Sequence, residues 1–312
     1  MKILSLSGFI PEHITDIIRF TQYSGSHRIS HYCRYVANYI SQVMDDSSID
    51  GAVFPRSCDS CRVLPDYFSE CGKFIFQLNI PARQDEAAVE FFASCIKKYK
   101  EEIEQYYGAV ITNIAERSER INERNSKIAM LYENIEDFSY YNYLHNIHDM
   151  LIKPLNEQSV FMPEKSSKSS KSVFIVGSFL SDLSILNTIE KAGLLIAGDN
   201  LSESKRLFSA SSVEISGDIY NNIAKSIIKN RLSPTQNNFA NILKSDFEEI
   251  KYKCIRGVIF ITQKNCEPYD YLYTRYKKML DEQSIPVLRL VLTDTMNNKR
   301  AEMEIESFAD IL

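Results

Sequence analysis

The 312-residue sequence contains no uninterrupted apolar stretch approaching the ~20 residues that cross a bilayer. It has no net basic charge: 36 Lys and Arg stand against 41 Asp and Glu, a formal charge of -5. That balance argues against a polyanion such as nucleic acid as partner, and the acidity itself is accounted for by solubility. The first ten residues include an apolar run but lack the basic start and small-residue cleavage site of a signal peptide. They predict a first strand and a cytoplasmic protein. No short-period repeat is present. The seven cysteines are an odd number without an export signal, so a disulfide framework explains them poorly. Metal binding or plain burial must account for them.

What is present suits a globular protein: 44% hydrophobic and 25% charged residues supply packed cores. At roughly 100–200 residues per domain the length predicts two domains. The clearest break is Pro163–Lys171, polar and low in complexity, which reads as an exposed linker. It separates an N-terminal α/β domain, 1–162, with a helical insertion, from a C-terminal α/β domain, 172–312. In the first, Gly51–Pro55 and Lys73–Leu78 read as strands. Asp85–Tyr107, Ile111–Tyr132 and Asp137–Leu151 have helical spacing. In the second, strands at Val173–Val176, Leu194–Ala197, Gly257–Thr262 and Pro286–Leu292 alternate with helices. Such alternation predicts parallel sheets with helices on both faces, and ligands beyond the carboxyl ends of the strands.

This rule singles out cysteines. Cys58 and Cys61, in Arg56-Ser-Cys-Asp-Ser-Cys-Arg62, directly follow the strand Gly51–Pro55. Cys266, in Gln263-Lys-Asn-Cys-Glu-Pro268, follows Gly257–Thr262 at a turn tightened by Pro268. Cys33 precedes a predicted helix. A Cys-x-x-Cys pair alone reads as half a zinc site, a thiol redox pair or coincidence. Zinc usually requires a second close pair, which is absent, and a redox pair leaves Cys266 unexplained. Soft thiolates from separated loops suit an iron–sulfur cluster. Cys95, in a helical pattern, and Cys254, before a strand, read as small buried hydrophobes. Cys71 precedes a strand and stays open.

Several stretches together resemble the 2-hydroxyacyl-CoA dehydratase and benzoyl-CoA reductase subunit family, which includes double-cubane-cluster proteins. They are Gly51–Arg62, Ile80–Arg83 with Asp85–Glu90, Val176–Asp182, Ala192–Asp199, Arg256–Phe260 with Lys264–Asp270, and 25–39 around Cys33. The resemblance implies two Rossmann-like domains with parallel sheets and a cluster site between them. It implies a [4Fe–4S] cluster held by Cys33, Cys58 and Cys266, with Cys61 as an additional or alternative ligand if the cluster is larger. It implies lyase or reductase chemistry by single-electron reduction of a carbonyl or acyl(-CoA) substrate. The partners it implies are an ATP-dependent activator that donates electrons and a dimer with itself or a homologous subunit. Two departures stand out: Ser202 occupies a position that commonly carries cysteine, and Glu304 stands where arginine is frequent. They motivate a second reading, a non-catalytic partner subunit of a cluster-bearing paralogue. A zinc or thiol-redox protein is the third.

Other residues carry two readings. Ser178, Asp182, Asp199 and Arg206 follow predicted strands and are substrate-positioning candidates, while Ser181 or Asp182 equally suits a helix cap. Arg206 is suited to an acidic substrate group. Arg62 and Asp59 flank the cluster cysteines, where Arg62 either stabilises thiolate or forms a surface ion pair. His27 and His31 are proton-donor candidates beside Cys33, or satisfied surface histidines. Glu12 reads as a charge at a Pro-initiated helix start. The run Phe138–Tyr143 reads as a helix-packing or subunit-contact face.

Overall fold

The structure is a computed structural model that describes residues 2–6, 12–20, 32–166, 169–180, 182–208, 212–230, 233–236, 238–293 and 298–312. Its strands are β1 (Ile3–Ser5), β2 (Ile17–Arg19), β3 (Gly51–Pro55), β4 (Phe74–Leu78), β5 (Ser172–Gly177), β6 (Leu195–Asn200), β7 (Gly257–Gln263) and β8 (Val287–Leu292). The helices are α1 (Arg34–Asp45), α2 (Asp59–Arg62), α3 (Leu64–Phe68), α4 (Glu86–Tyr107), α5 (Ile114–Glu133), α6 (Tyr140–Leu151), α7 (Ser184–Lys191), α8 (Lys205–Phe208), α9 (Ile219–Asn230), α10 (Phe239–Tyr252), α11 (Glu267–Glu282) and α12 (Asn298–Ile311). Among the described residues, no helix is long and apolar enough to cross a membrane.

Two four-stranded sheets form, ordered β2-β1-β3-β4 and β6-β5-β7-β8, with every pairing parallel. The protein is α/β with two Rossmann-like domains. The central strands are apolar because helices cover both faces: every residue of β3 and β7 is buried. Gly177 ends β5 so close to β7 that a Cβ would lie 2.6 Å from the Ile261 carbonyl oxygen. Helix α4 shows local and tertiary signals agreeing. Asp85 caps it by accepting from the Ala88 N–H at 2.9 Å, and Gly108 at φ 64° ends it. Its Val89, Phe92, Ile96, Tyr99 and Ile103 all face the core.

The two sheets repeat one strand order, and this places the site. In each, the first strand is central, the next strand lies on one side and the third on the other. The crevice between β1 and β3, and between β5 and β7, is the switch point where α/β sheets bind ligands. β3 leads into Cys58 and β7 into Cys266.

Packing crosses the linker. Ile223, Ala224, Ile227 and Ile228 of α9 join the core made by the first sheet and α4. Tyr140, Tyr143, Leu144 and Ile147 of α6 join the core of the second sheet. Phe138–Tyr143 is thus a helix-packing face. The start of the linker is fastened: Ser139 N–H donates to the Glu164 carbonyl at 2.8 Å, and Ser166 N–H to that of Asp137 at 2.9 Å.

Candidate functional site

Cys33, Cys58 and Cys266 line a single cavity of about 460 Å³. Its wall comes from the segment before α1, the β3–α2 junction and the β7–α11 turn, so both lobes contribute. Each cysteine is the N-cap residue of the helix that follows: Cys33 for α1, Cys58 for α2 and Cys266 for α11. None makes a side-chain capping hydrogen bond, yet each sulfur lies close enough to first-turn N–H groups of its helix to feel them. The turn before Cys266 is set by Asn265 in the left-handed region at φ 63°, where asparagine is tolerated. The Asn265 side chain also donates to the Tyr32 carbonyl at 3.5 Å, which joins the Cys266 turn to the Cys33 segment across the lobes. The lobes also meet through Tyr35 and Phe179, stacked with centroids 4.5 Å apart. Cys266 packs against the core of the first lobe as well as that of the second.

The thiols differ electrostatically. Burial pushes Cys33 up to about 11, against the smaller lowering effect of the Val36 and Tyr35 N–H groups. Burial likewise raises Cys266 well above the ordinary thiol range. Cys58 is lowered to about 7: the Cys61 thiol donates to it, and the N–H groups of Cys61 and Ser60 add to the effect. The two sulfurs lie 3.5 Å apart, and the cost falls on Cys61, which is raised. Since thiolate is the nucleophile, the metal-free chain should alkylate first at Cys58. The rate should rise through a midpoint near pH 7, while Cys33 stays unreactive there. Peptide mapping after timed iodoacetamide exposure measures this, and equal labelling of Cys33 and Cys58 at neutral pH would contradict it.

Among the described residues, no three His, Cys, Asp or Glu side chains converge closely enough to hold a single metal ion. The thiols surround a chamber instead of a point.

A family model described as 2-hydroxyglutaryl-CoA dehydratase, D-component, matches residues 20–312. The chain belongs to this family. Among curated relatives, the (R)-2-hydroxyglutaryl-CoA dehydratase subunit beta of Acidaminococcus fermentans is 23% identical over 91% of this chain and 82% of its own. The (R)-phenyllactyl-CoA dehydratase beta subunit of Clostridium sporogenes is 23% identical over 85% of this chain and 75% of its own. The solved structure of SsGBP with GDP aligns with 99% of this chain and 98% of its own, but at 14% identity and a TM-score of 0.26, which carries no argument.

The resemblance that names this dehydratase family also implies an iron–sulfur core, and the donor set fits one. Three soft thiols face one chamber large enough for a polyatomic group. Helix N-termini supply partial positive charge behind sulfurs that must become anionic.

The other sequence candidates are distributed differently. Cys61 is buried behind Cys58 and does not line the chamber. Arg62 has a side chain 57% exposed that pairs with Asp59 at 3.5 Å, the surface ion pair of its two readings, and does not line the chamber. Arg206 lies away from the chamber wall. It is buried, and its guanidinium donates to the Gly177 carbonyl at 3.0 Å, to Ser202 Oγ at 2.6 Å and to the Tyr269 hydroxyl. Tyr269 sits in the first turn of α11, its N–H donating to the Cys266 carbonyl at 3.2 Å. Arg206 therefore braces the Cys266 turn and does not line the chamber. Ser178 lies outside the chamber wall, its carbonyl accepting from the Ser202 N–H at 3.3 Å. Asp199 is fully buried and accepts from the Leu201 N–H and Ser204 Oγ, each at 2.8 Å. Asp182 accepts from the Ser184 N–H at 2.9 Å at the start of α7, in the manner of a cap. Glu304 pairs with Arg300 on the surface. Cys254 is exposed, at φ 50°, not buried. Cys71 and Cys95 are half-buried against cores. His27, His31 and Ser181 lie outside the described residues.

Glu12 is the largest correction. It lies in a turn, not at a helix start, and is buried between Arg124 and Arg19. Arg124 Nη1 donates to one Glu12 oxygen at 3.0 Å, and Nη2 donates to the other. Arg117 grips the Glu12 carbonyl at 2.8 Å and Asp16 at 3.0 Å. These bonds tie the β1–β2 connection to α5.

Proposed function

We propose that this chain is an iron–sulfur subunit of a 2-hydroxyacyl thioester dehydratase, with Cys33, Cys58 and Cys266 holding a [4Fe–4S]-type cluster between the lobes. The observation that carries this reading is the arrival of these three thiols, from segments far apart in sequence, on one chamber wall in a member of this family. When bound, such a cluster supplies one-electron reduction of the substrate carbonyl, the difficult step of the reaction. The chain supplies ligation, orientation and shielding. Tyr32, Val63 and Pro268 give the chamber apolar wall. Arg206 and Tyr269 hold the Cys266 turn in place, and the Asn265–Tyr32 bond keeps the two lobes in register around the sulfurs.

The walls also bear on substrate placement. Asp59, Glu267 and Asp270 line the chamber, and no Lys or Arg does among the described residues. Asp270 is offset by Arg289 at 2.5 Å and Asp59 by the exposed Arg62 at 3.5 Å, but neither cation lines the chamber, and Glu267 adds a further carboxylate. Such a wall repels phosphate. The acyl end of a thioester enters, and a CoA nucleotide rests outside the chamber. Because two relatives are named beta subunits, a companion subunit is part of the proposal, as are an ATP-dependent electron-donating activator and a cytoplasmic location.

The test is reconstitution under anaerobic conditions with the companion subunit, the activator, ATP and a 2-hydroxyacyl thioester. Loss of water is followed by mass. Turnover that disappears with Cys58→Ser supports the proposal, and turnover undiminished by that change counts against it.

A further inference from the structure

We propose that Cys58 and Cys61 form a reversible disulfide whenever the chain lacks its cluster, so that Cys61 is a resolving thiol and not a cluster ligand. The sulfurs are 3.5 Å apart. A disulfide needs about 2.05 Å, so closure asks for a movement of about 1.5 Å, within reach of side-chain rotation. The backbone between them is pinned in one turn: the Cys61 and Arg62 N–H groups donate to the Cys58 carbonyl at 3.1 and 3.0 Å. Gln77 Nε2 holds the Cys61 carbonyl at 2.9 Å from β4. The pair is thus held side by side by bonds that do not involve sulfur.

The surroundings assign the two roles. Cys58 lines the chamber and meets small molecules there, whereas Cys61 is 4% exposed, does not line the chamber, and has its sulfur beside that of Cys58. An accessible thiol beside a buried resolving one is the arrangement of reversible redox cysteines. With glutathione disulfide as oxidant, the Cys58 thiolate attacks one glutathione sulfur and expels one glutathione thiolate. Cys61 then releases its proton to solvent, attacks the Cys58 sulfur and expels the second glutathione. Two protein thiols are oxidised and one disulfide is reduced to two thiols. Resting on the cluster reading, the consequence is that oxidation withdraws a ligand and closes the site to iron, while sparing Cys58 from irreversible oxidation.

The chain offers a direct readout. Trypsin cuts after Arg56 and Arg62, so one short peptide, Ser57–Arg62, carries both thiols. The iron-free full-length chain is incubated with glutathione disulfide, the remaining thiols are alkylated, and the peptide is weighed. The expected product is this peptide two hydrogens lighter and unalkylated, restored by dithiothreitol. In C61S the expected product is a lasting glutathione adduct on Cys58. A lasting adduct on Cys58 of the unaltered chain, or a link from Cys58 to Cys33 or Cys266, overturns the inference. The chain is also offered iron and sulfide before and after dithiothreitol. Disulfide formation with no iron uptake by the reduced chain would sink the cluster reading and leave the dithiol standing. Equal iron uptake by the oxidised and reduced chains would sink the gating.

Discussion

On the proposed cluster assignment, Cys266→Ser should abolish uptake of iron and sulfide by the chain. Cys266 is the thiol that the second lobe brings to the chamber, on the β7–α11 turn, whereas Cys33 and Cys58 come from the first. Hydroxyl is a hard donor and a poor replacement for thiolate on iron. Changing an outer-shell partner already costs roughly 10–100-fold in metal affinity, so losing a direct ligand should cost at least that much. Iron and acid-labile sulfide after anaerobic reconstitution are the measurement. Cys33→Ser and Cys58→Ser should fall with it. Cys254→Ser is the control, because that thiol is exposed in the turn before β7. Similar losses for Cys254→Ser and Cys266→Ser would mean that the changes act on folding and not on ligation.

Glu12→Gln should produce the largest loss of stability. Burial by itself would raise the Glu12 carboxyl. Arg124, and then Arg19, overcome that and hold it far below the usual carboxylate range. Removing the charge strands two guanidinium groups in the interior, and breaking a buried pair this way costs about 3–5 kcal/mol. The pH dependence has a definite sign. The folded-state value lies below the unfolded one, so the contribution is fully present above the ordinary Glu value of about 4.3 and fades as the pH falls below it. Urea denaturation at pH 7 and pH 4 separates the cases. The native chain should lose stability between these values partly through Glu12, and the variant should be weaker at pH 7 with less further loss. A variant within about 0.5 kcal/mol of the native chain at pH 7, the range of ordinary surface changes, would contradict this account of the buried Glu12–Arg124–Arg19 network.

The α/β architecture was legible because its signals are local. Gly51–Pro55 and Ser172–Gly177 are unbroken apolar runs, and α4 carries its periodicity, cap and terminal glycine within one segment. The strand β2 was not, since three residues, Ile17–Arg19, are too few to show a pattern. The chamber was legible where the strand-end rule singles out residues, at Cys58 and Cys266, which both line it. The family resemblance added Cys33. What escaped was long-range pairing. Glu12 and Arg124 are 112 residues apart, and nothing near either announces the other. Arg206 reads as a free cation after a strand, yet its partners Gly177 and Tyr269 arrive from β5 and α11. The apolar face of α6 was evident, but not that it packs on the second sheet; a hydrophobic stripe specifies burial without specifying a partner.

The most direct trial of the cluster assignment is anaerobic crystallography of the reconstituted chain, with diffraction recorded at the iron absorption edge. The account predicts one compact anomalous peak between the lobes, bonded by the sulfurs of Cys33, Cys58 and Cys266. A chamber without iron, or iron bound elsewhere while these three thiols stand apart, would contradict it.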